Sequence, residues 1–188
     1  FRWSHEPIGS PSIELPEFIS DMYRAGFRAG VVPFASVAGA LAQVAARAAV
    51  DSGAANVLVE NGGDLCLYGE GPFVVGVHAG SSPLSQKMGF EIFPGQSYAG
   101  LCTSSASVGE SISFGEAEAV VAYCPSSAPI ADAAATAICN EVKGQEGVAR
   151  GIERSKMFYK VLILIIQGER LAAWGNLPES ICHVKVSA

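Results

Sequence analysis

Asn56-Val57-Leu58-Val59-Glu60-Asn61-Gly62-Gly63-Asp64-Leu65-Cys66-Leu67-Tyr68 is the stretch on which the fold turns. Residues of strand character run into Asn61-Gly62-Gly63-Asp64, and a second short strand, Leu65 to Tyr68, leaves it. Asn and Gly are turn residues because they tolerate the backbone angles a tight hairpin demands. The same turn has a second use. Glycines carry no Cβ, so a ligand can approach the backbone closely, and Asp64 can accept hydrogen bonds or help hold a cation. Taken alone, the spacing favours the plain hairpin.

Upstream, Phe34, Val37, Leu41, Val44 and Ala48 recur at helical spacing, with Ala filling most positions between them. Pro33 suits the first turn of that helix and Asp51-Ser52-Gly53 its end. Residues 1–30, with prolines at positions 7, 11 and 16, read as an irregular N-terminal arm. Downstream, strands are predicted at Phe73 to His78, near Phe90 to Phe93, and at Ala117 to Tyr123. Gly100 to Gly115 reads as a long polar stretch and Ile130 to Val142 as a second Ala-rich helix closed by Gly144. Lys160 to Ile166 is a buried strand, turned at Gln167-Gly168-Glu169-Arg170 and returning through Leu171 to Trp174. Helices interleave with hairpins, which predicts an α/β or α+β class with a mixed sheet.

The 188 residues make one domain the default, with about 70% of the unfolded surface buried on folding. Apolar residues make up 49% and charged residues 16%, and the mean hydropathy is +0.32. Net charge is −6, and the 12 Lys and Arg are scattered, which argues against a nucleic-acid partner. The longest strongly apolar run, Val161 to Ile166, is far short of the roughly 20 residues of a spanning helix, so no membrane role is expected. No signal peptide is visible. The chain begins at Phe1 rather than Met, and the expectation is that N-terminal residues are missing. Cys66, Cys102, Cys124, Cys139 and Cys182 are dispersed without a CxxC pair, which suits reduced thiols in a cytoplasmic protein rather than disulfides, zinc or iron–sulfur. The Ala-rich, apolar composition is compatible with a homodimer.

Two further segments carry chemistry-bearing residues. In Ala131-Asp132-Ala133-Ala134-Ala135-Thr136, Asp132 and Thr136 stand four apart and share a helix face. A carboxylate and a hydroxyl so placed can bind a hard cation such as Mg²⁺, but on spacing alone helix capping and packing are the favoured explanation of the pair. Cys102-Thr103-Ser104-Ser105, with Gly109 to Gly115 beyond, can cradle a phosphate or form an ordinary solvated loop. Cys102 becomes a nucleophile only in an electropositive, partly exposed setting. His78 and His183 are acid/base candidates, and His5 is a weaker one. No P-loop or GxGxxG fingerprint is present.

In this order the segments resemble the ApbE-like superfamily of FAD:protein FMN transferases, and best its small UPF-type branch. The resemblance rests on GLCTSSASVGESISFGEAEAVV (100–121) and ADAAATAICN (131–140), supported by PFASVAGALA (33–42) and GERLAAWG (168–175). It runs from about Pro33 to Gly175 and implies an α+β fold with a mixed, largely antiparallel sheet packed by Ala-rich helices, within a single domain over residues 1–188. It also implies cleavage of FAD, transfer of FMN to a Thr or Ser of an acceptor protein, and Mg²⁺ at the pyrophosphate. Asp132 and Thr136 match the metal ligands, Asn61, Gly62, Gly63 and Asp64 the flavin-contacting turn, and Thr103, Ser104 and Ser105 the loop before the nucleotide. The transferases' Asp-Pro-x-Thr-Gly element is absent. Gly109 to Gly115 stand there, with Glu110 where the branch has His and Glu118 where it has Asp. Two alternatives remain. One is a sulfur-assimilation (homocysteine-forming) component with a persulfide on Cys102; the other is a non-catalytic binding domain.

Overall fold

A computed structural model describes residues 15–108, 113–175 and 181–182. The layers follow from strand alternation. Along β1 (Val57–Asn61), β2 (Asp64–Gly69), β5 (Gly95–Ser104), β6 (Ala119–Cys124), β7 (Leu162–Gln167) and β8 (Arg170–Trp174), successive side chains turn to opposite faces. These strands form one six-stranded sheet in the order β1-β2-β5-β6-β7-β8. Its central strands are apolar on both faces, so β7 reads as the unbroken run Leu-Ile-Leu-Ile-Ile. One face, through Cys66, Cys102, Val120, Ala122, Ile163 and Ile165, packs on helices. The other, through Leu65, Leu67, Ala99, Leu101, Val121 and Leu164, meets Phe90 and Ile92. Those two belong to a three-stranded sheet of β3 (Phe73–Gly76), β4 (Gly89–Ile92) and β9 (Ile181–Cys182). Every described pairing is antiparallel.

The helical layer holds α1 (Glu17–Ala29), α2 (Val37–Asp51), α3 (Ala128–Cys139) and α4 (Gly147–Ser155), with a 3-10 turn at Pro33–Ser36 leading into α2. Helix α3 is buried along its whole length, which explains its alanines: only small side chains fit between the sheet on one side and α1 and α2 on the other. The fit is closest at Gly100, where a Cβ would lie 2.3 Å from the Cα of Ala128. Strand β5 and the start of α3 are therefore in backbone contact.

Several elements differ from the sequence reading. Residues 17–29 are helical, not part of an irregular arm. The last proline before them, Pro16, occupies the cap position, and Met22, Ala25, Gly26 and Ala29 form the buried face. Residues 1–14 lie outside the described residues. Gly100 to Ser104 are the second half of β5 rather than polar loop, because Leu101 and Cys102 pack into opposite cores. Helix α4 escaped the sequence reading because Gly147 and Gly151 break its pattern. Gly151 is small because a Cβ there would meet Ile165 Cδ1 at 2.7 Å. The segment Pro33–Asp51 has a hydropathy of 1.3 and is long and apolar enough to cross a membrane by length and composition, which the count of unbroken apolar residues had not revealed. Ala40, Ala42 and Ala46 face the interior of the fold, while Leu41 and Val44 are exposed.

Candidate functional site

The hairpin turn forms one wall. Gly62 and Gly63 take φ of 65° and 98°, and nothing lies within 4 Å of the position a Cβ would occupy on either. Positive φ at both central residues is the signature of a tight two-residue hairpin, so the glycines are required by the turn and leave its outer side open. The turn is tied down at two points. Gly63 N–H donates to Glu60 Oε1 at 2.8 Å, and the Asn61 side-chain amide donates to the Ala38 carbonyl at 3.3 Å. The second bond fastens the turn to the start of α2.

Asp64 opens β2 directly opposite Cys102 of β5. Its Oδ1 accepts the Thr103 N–H at 3.3 Å, and its carboxyl hydrogen-bonds the Cys102 thiol. Burial pushes the Asp64 carboxyl up to about 7; the bonds to Cys102 and Thr103 oppose the rise, and the nearby Glu60 charge adds to it. Asp132, one turn into α3, approaches from the helical layer. Its Oδ2 accepts the Gly39 N–H at 2.9 Å, a bond made possible because Gly39 is bare: a Cβ there would lie 2.7 Å from Ala128 O and 3.0 Å from Asp132 Cβ. Burial, and then the charge of Asp64, raises the Asp132 carboxyl well above the usual range.

Cys102 is enclosed, with its thiol 3.4 Å from the Ala128 carbonyl. Burial, and then the charges of Asp64 and Asp132, raises this thiol well above its ordinary value. This is the reverse of the exposed, electropositive setting that makes a thiolate. The nucleophile and persulfide readings of Cys102 draw no support from this setting, in which the thiol donates to the Ala128 carbonyl beside the Asp64 carboxyl.

The Thr-Ser segment divides. Thr103 is half-buried and gives its N–H to Asp64. Ser104 is buried and hydrogen-bonds Cys139 at the end of α3. Ser105 Oγ accepts the N–H groups of Ser107 and Val108 at 3.1 and 2.9 Å, folding the chain into a tight turn. Thr136 is buried one turn beyond Asp132. Glu118 supports the β7–β8 turn, where it accepts the Gly168 N–H at 2.8 Å. Glu110, His183 and His5 lie outside the described residues.

The structure thus brings Asp64, Cys102 and Asp132 together from β2, β5 and α3. The site also depends on Glu60 and Gly39, which the sequence reading did not single out; a glycine inside an otherwise Ala-rich helix was the available signal for the second. Among the described residues no three His, Cys, Asp or Glu side chains gather as a metal-binding set, and no Lys or Arg contributes to the shift of either aspartate. Two buried carboxylates that repel each other without a basic partner form a site that a cation would relieve. The oxygen donors of these two acids suit Mg²⁺ better than zinc. In donor chemistry, though not as a gathered ligand set, the two acids fit such an ion.

Residues 1–156 match the sequence model of a family described as AbpE bacteria. A UPF0280 protein of Methanosarcina acetivorans is 39% identical over 181 residues, covering 95% of this chain and 70% of that protein. A UPF0280 protein of Methanocorpusculum labreanum is 37% identical over 187 residues, covering 98% and 77%. Among solved structures, the apo flavinyl transferase ApbE of Pseudomonas stutzeri superposes with a TM-score of 0.51 at 17% identity, over 77% of this chain and 47% of that one. The flavin transferase ApbE of Vibrio cholerae gives 0.50 at 17% identity, over 77% and 50%. The chain spans about half the length of these two transferases, and at this identity the likeness is one of fold.

Proposed function

The chain belongs to the AbpE bacteria family, and from that premise we propose that it binds a phosphoryl-bearing ligand of the flavin-nucleotide class with the help of Mg²⁺. The observation that carries this reading is the meeting of Asp64 and Asp132, two buried acids with no basic side chain acting on them. Asp132 and Thr136 would hold the cation, and Asp64 adds a second negative charge beside it. Bound there, Mg²⁺ would supply the positive charge that offsets a pyrophosphate. Asn61, Gly62, Gly63 and Asp64 line the ligand, the first three through backbone at the open hairpin tip and Asp64 from its buried place behind it. Thr103, Ser104 and Ser105 shape the neighbouring wall, with Ser104 and Ser105 fixed by their own hydrogen bonds. Gly39 orients Asp132, and Cys102 orients Asp64 as a neutral donor.

Flavin transfer is the activity favoured by the fold likeness. In that reaction an acceptor hydroxyl bonds to the FMN phosphorus, the pyrophosphate P–O bond breaks, and AMP leaves. The Gly109 to Gly115 segment lacks the Asp-Pro-x-Thr-Gly element, so pyrophosphate cleavage with water as acceptor is the simpler form of the same reading. Four free, buried cysteines support placing the protein in the cytoplasm. The experiment is gel filtration of the protein with FAD, in Mg²⁺ and in EDTA, followed by flavin absorbance of the protein peak. Co-elution in Mg²⁺ alone agrees with the proposal; no flavin in either buffer sinks it.

A further inference from the structure

The two edges of the six-stranded sheet differ. β1 carries the charged Glu60 and runs straight into the Gly62-Gly63 turn. β8 is the other edge, with β7 its one strand neighbour among the described residues. Its interior, Leu171-Ala172-Ala173, holds no charge and no proline, and its register with β7 runs unbroken from Gln167↔Arg170 to Ile163↔Trp174. Proteins guard open edges with charges, prolines or bulges, because unpaired N–H and C=O groups invite another strand. Between Arg170 and Trp174 this edge has none of those guards.

The free backbone groups follow from the neighbouring strands. Glu118 N–H donates to Ile166 O at 3.0 Å, so the Ile166 backbone points toward β6. Backbone direction alternates along a strand, so Ile163, Ile165 and Gln167 point the other way and bond Trp174, Ala172 and Arg170. Leu171 and Ala173 are left with N–H and C=O directed away from the sheet. Side chains alternate too. Ala172 and Trp174 share the helical face of Ile163 and Ile165, whereas Leu171 and Ala173 share the face of Ile166 and Leu164. Leu171 is 47% exposed and Trp174 37%.

This edge is complementary to itself. Two copies set antiparallel about a two-fold axis at Ala172 place Leu171 of each opposite Ala173 of the other. Each such pair exchanges both of its N–H···O bonds, and the larger side chain meets the smaller. On the helical face Arg170 comes opposite Trp174 of the second copy, a cation beside the aromatic ring that attracts cations best. The Arg170 guanidinium already donates to the Gln145 carbonyl, which holds it on that face.

We propose that β8 pairs with β8 of a second copy of this chain, antiparallel and centred on Ala172, joining the two large sheets into one. The contact is isologous, the commonest kind in closed dimers. Asp64 lies on β2, toward the opposite edge, so the candidate site stays open in both copies. A five-residue strand contact is short, so the dimer is a weak, concentration-dependent one.

The test is sedimentation equilibrium of wild type, Leu171→Lys and Ala173→Pro, with a non-reducing gel of Ala172→Cys after mild oxidation. Wild type should pass from 19.4 kDa to twice that mass as concentration rises. Leu171→Lys puts a charge on the edge, and Ala173→Pro removes an outward N–H that β7 does not use. Each should weaken the dimer at least about tenfold. Leu171→Lys, a change at an exposed position, should keep the wild-type melting temperature, which separates pairing from folding. In Ala172→Cys the axis sets position 172 opposite itself, at the Cα separation of about 4.5 Å of a pair without hydrogen bonds, so a disulfide should link the copies. A wild type that stays monomeric at every concentration overturns the proposal and leaves the edge to a strand of another protein. A dimer that survives Leu171→Lys undiminished, with no cross-link in Ala172→Cys, overturns it as well.

Discussion

Asp64 and Cys102 stand opposite each other on β2 and β5, and the thiol of one hydrogen-bonds the carboxyl of the other. The pairing explains why a cysteine sits at the centre of an acidic site. A thiol is small, buries without penalty, and donates a weak hydrogen bond without bringing charge. A lysine in the same place would neutralise the carboxylates and remove the attraction for a cation.

Cys102 replacements separate this role from nucleophilic chemistry. Cys102→Ser keeps a donor for Asp64 and should retain Mg²⁺-dependent FAD binding within about threefold. Cys102→Val removes the donor and should destabilise the fold by about 1–3 kcal/mol in denaturant titration, the range for a buried polar group left unpaired. Recovery of sulfane sulfur on Cys102, with activity lost in the serine variant, would restore the persulfide reading.

Stability of the metal-free protein should fall as pH rises from about 4 to 7. Asp64 is pushed up to about 7 from 3.8, so in this window the folded state holds a proton that the unfolded state has released. The slope is therefore negative, by at most roughly 1.4 kcal/mol per pH unit for this one group. Asp132, also raised, adds in the same direction. Mg²⁺ should restore stability most at the alkaline end, since it competes with protons. Calorimetric melting from pH 5 to 8, with Mg²⁺ or EDTA, reads both effects; a melting temperature that climbs with pH in EDTA would contradict them.

Gly39 is the third handle. Gly39→Ala places a methyl 2.7 Å from the Ala128 carbonyl, so α2 must move off α3. Overpacking of this kind costs about 1–3 kcal/mol. It also strains the bond from Gly39 N–H to Asp132, so Mg²⁺ affinity should drop by more than in Ala45→Gly, a control on the exposed face of α2 with a stability cost of about 1 kcal/mol. Equal affinities in the two variants would remove Gly39 from the site.

How far the sequence could be read depended on how local each signal was. The Asn61-Gly62-Gly63-Asp64 hairpin was legible because turn geometry is written in adjacent residues. The two Ala-rich helices and a class of α/β or α+β were legible from periodicity, and the choice of α+β came with the family resemblance. The second half of β5 was not legible: Gly100, Cys102 and Ser104 are small or polar because α3 lies directly on them, and in sequence such residues look like loop. Helix α1 was masked by the prolines before it and α4 by its packing glycines. At the site, Asp64, Cys102 and Asp132 could each be singled out. Their meeting, and the neutral state it imposes on Cys102, arise only when α3 seats on β5 at Gly100. No spacing rule reports that the charge of residue 64 acts on residue 132.

The most direct test of the central claim is isothermal titration of Mg²⁺ in the presence of FAD, with wild type and Asp132→Asn compared at neutral pH. The account predicts saturable binding to wild type and a loss of at least about tenfold in the asparagine variant, whose amide keeps the side chain's volume but not its charge. Equal affinity in the two proteins, with both folded, would contradict the assignment of a cation site at Asp132.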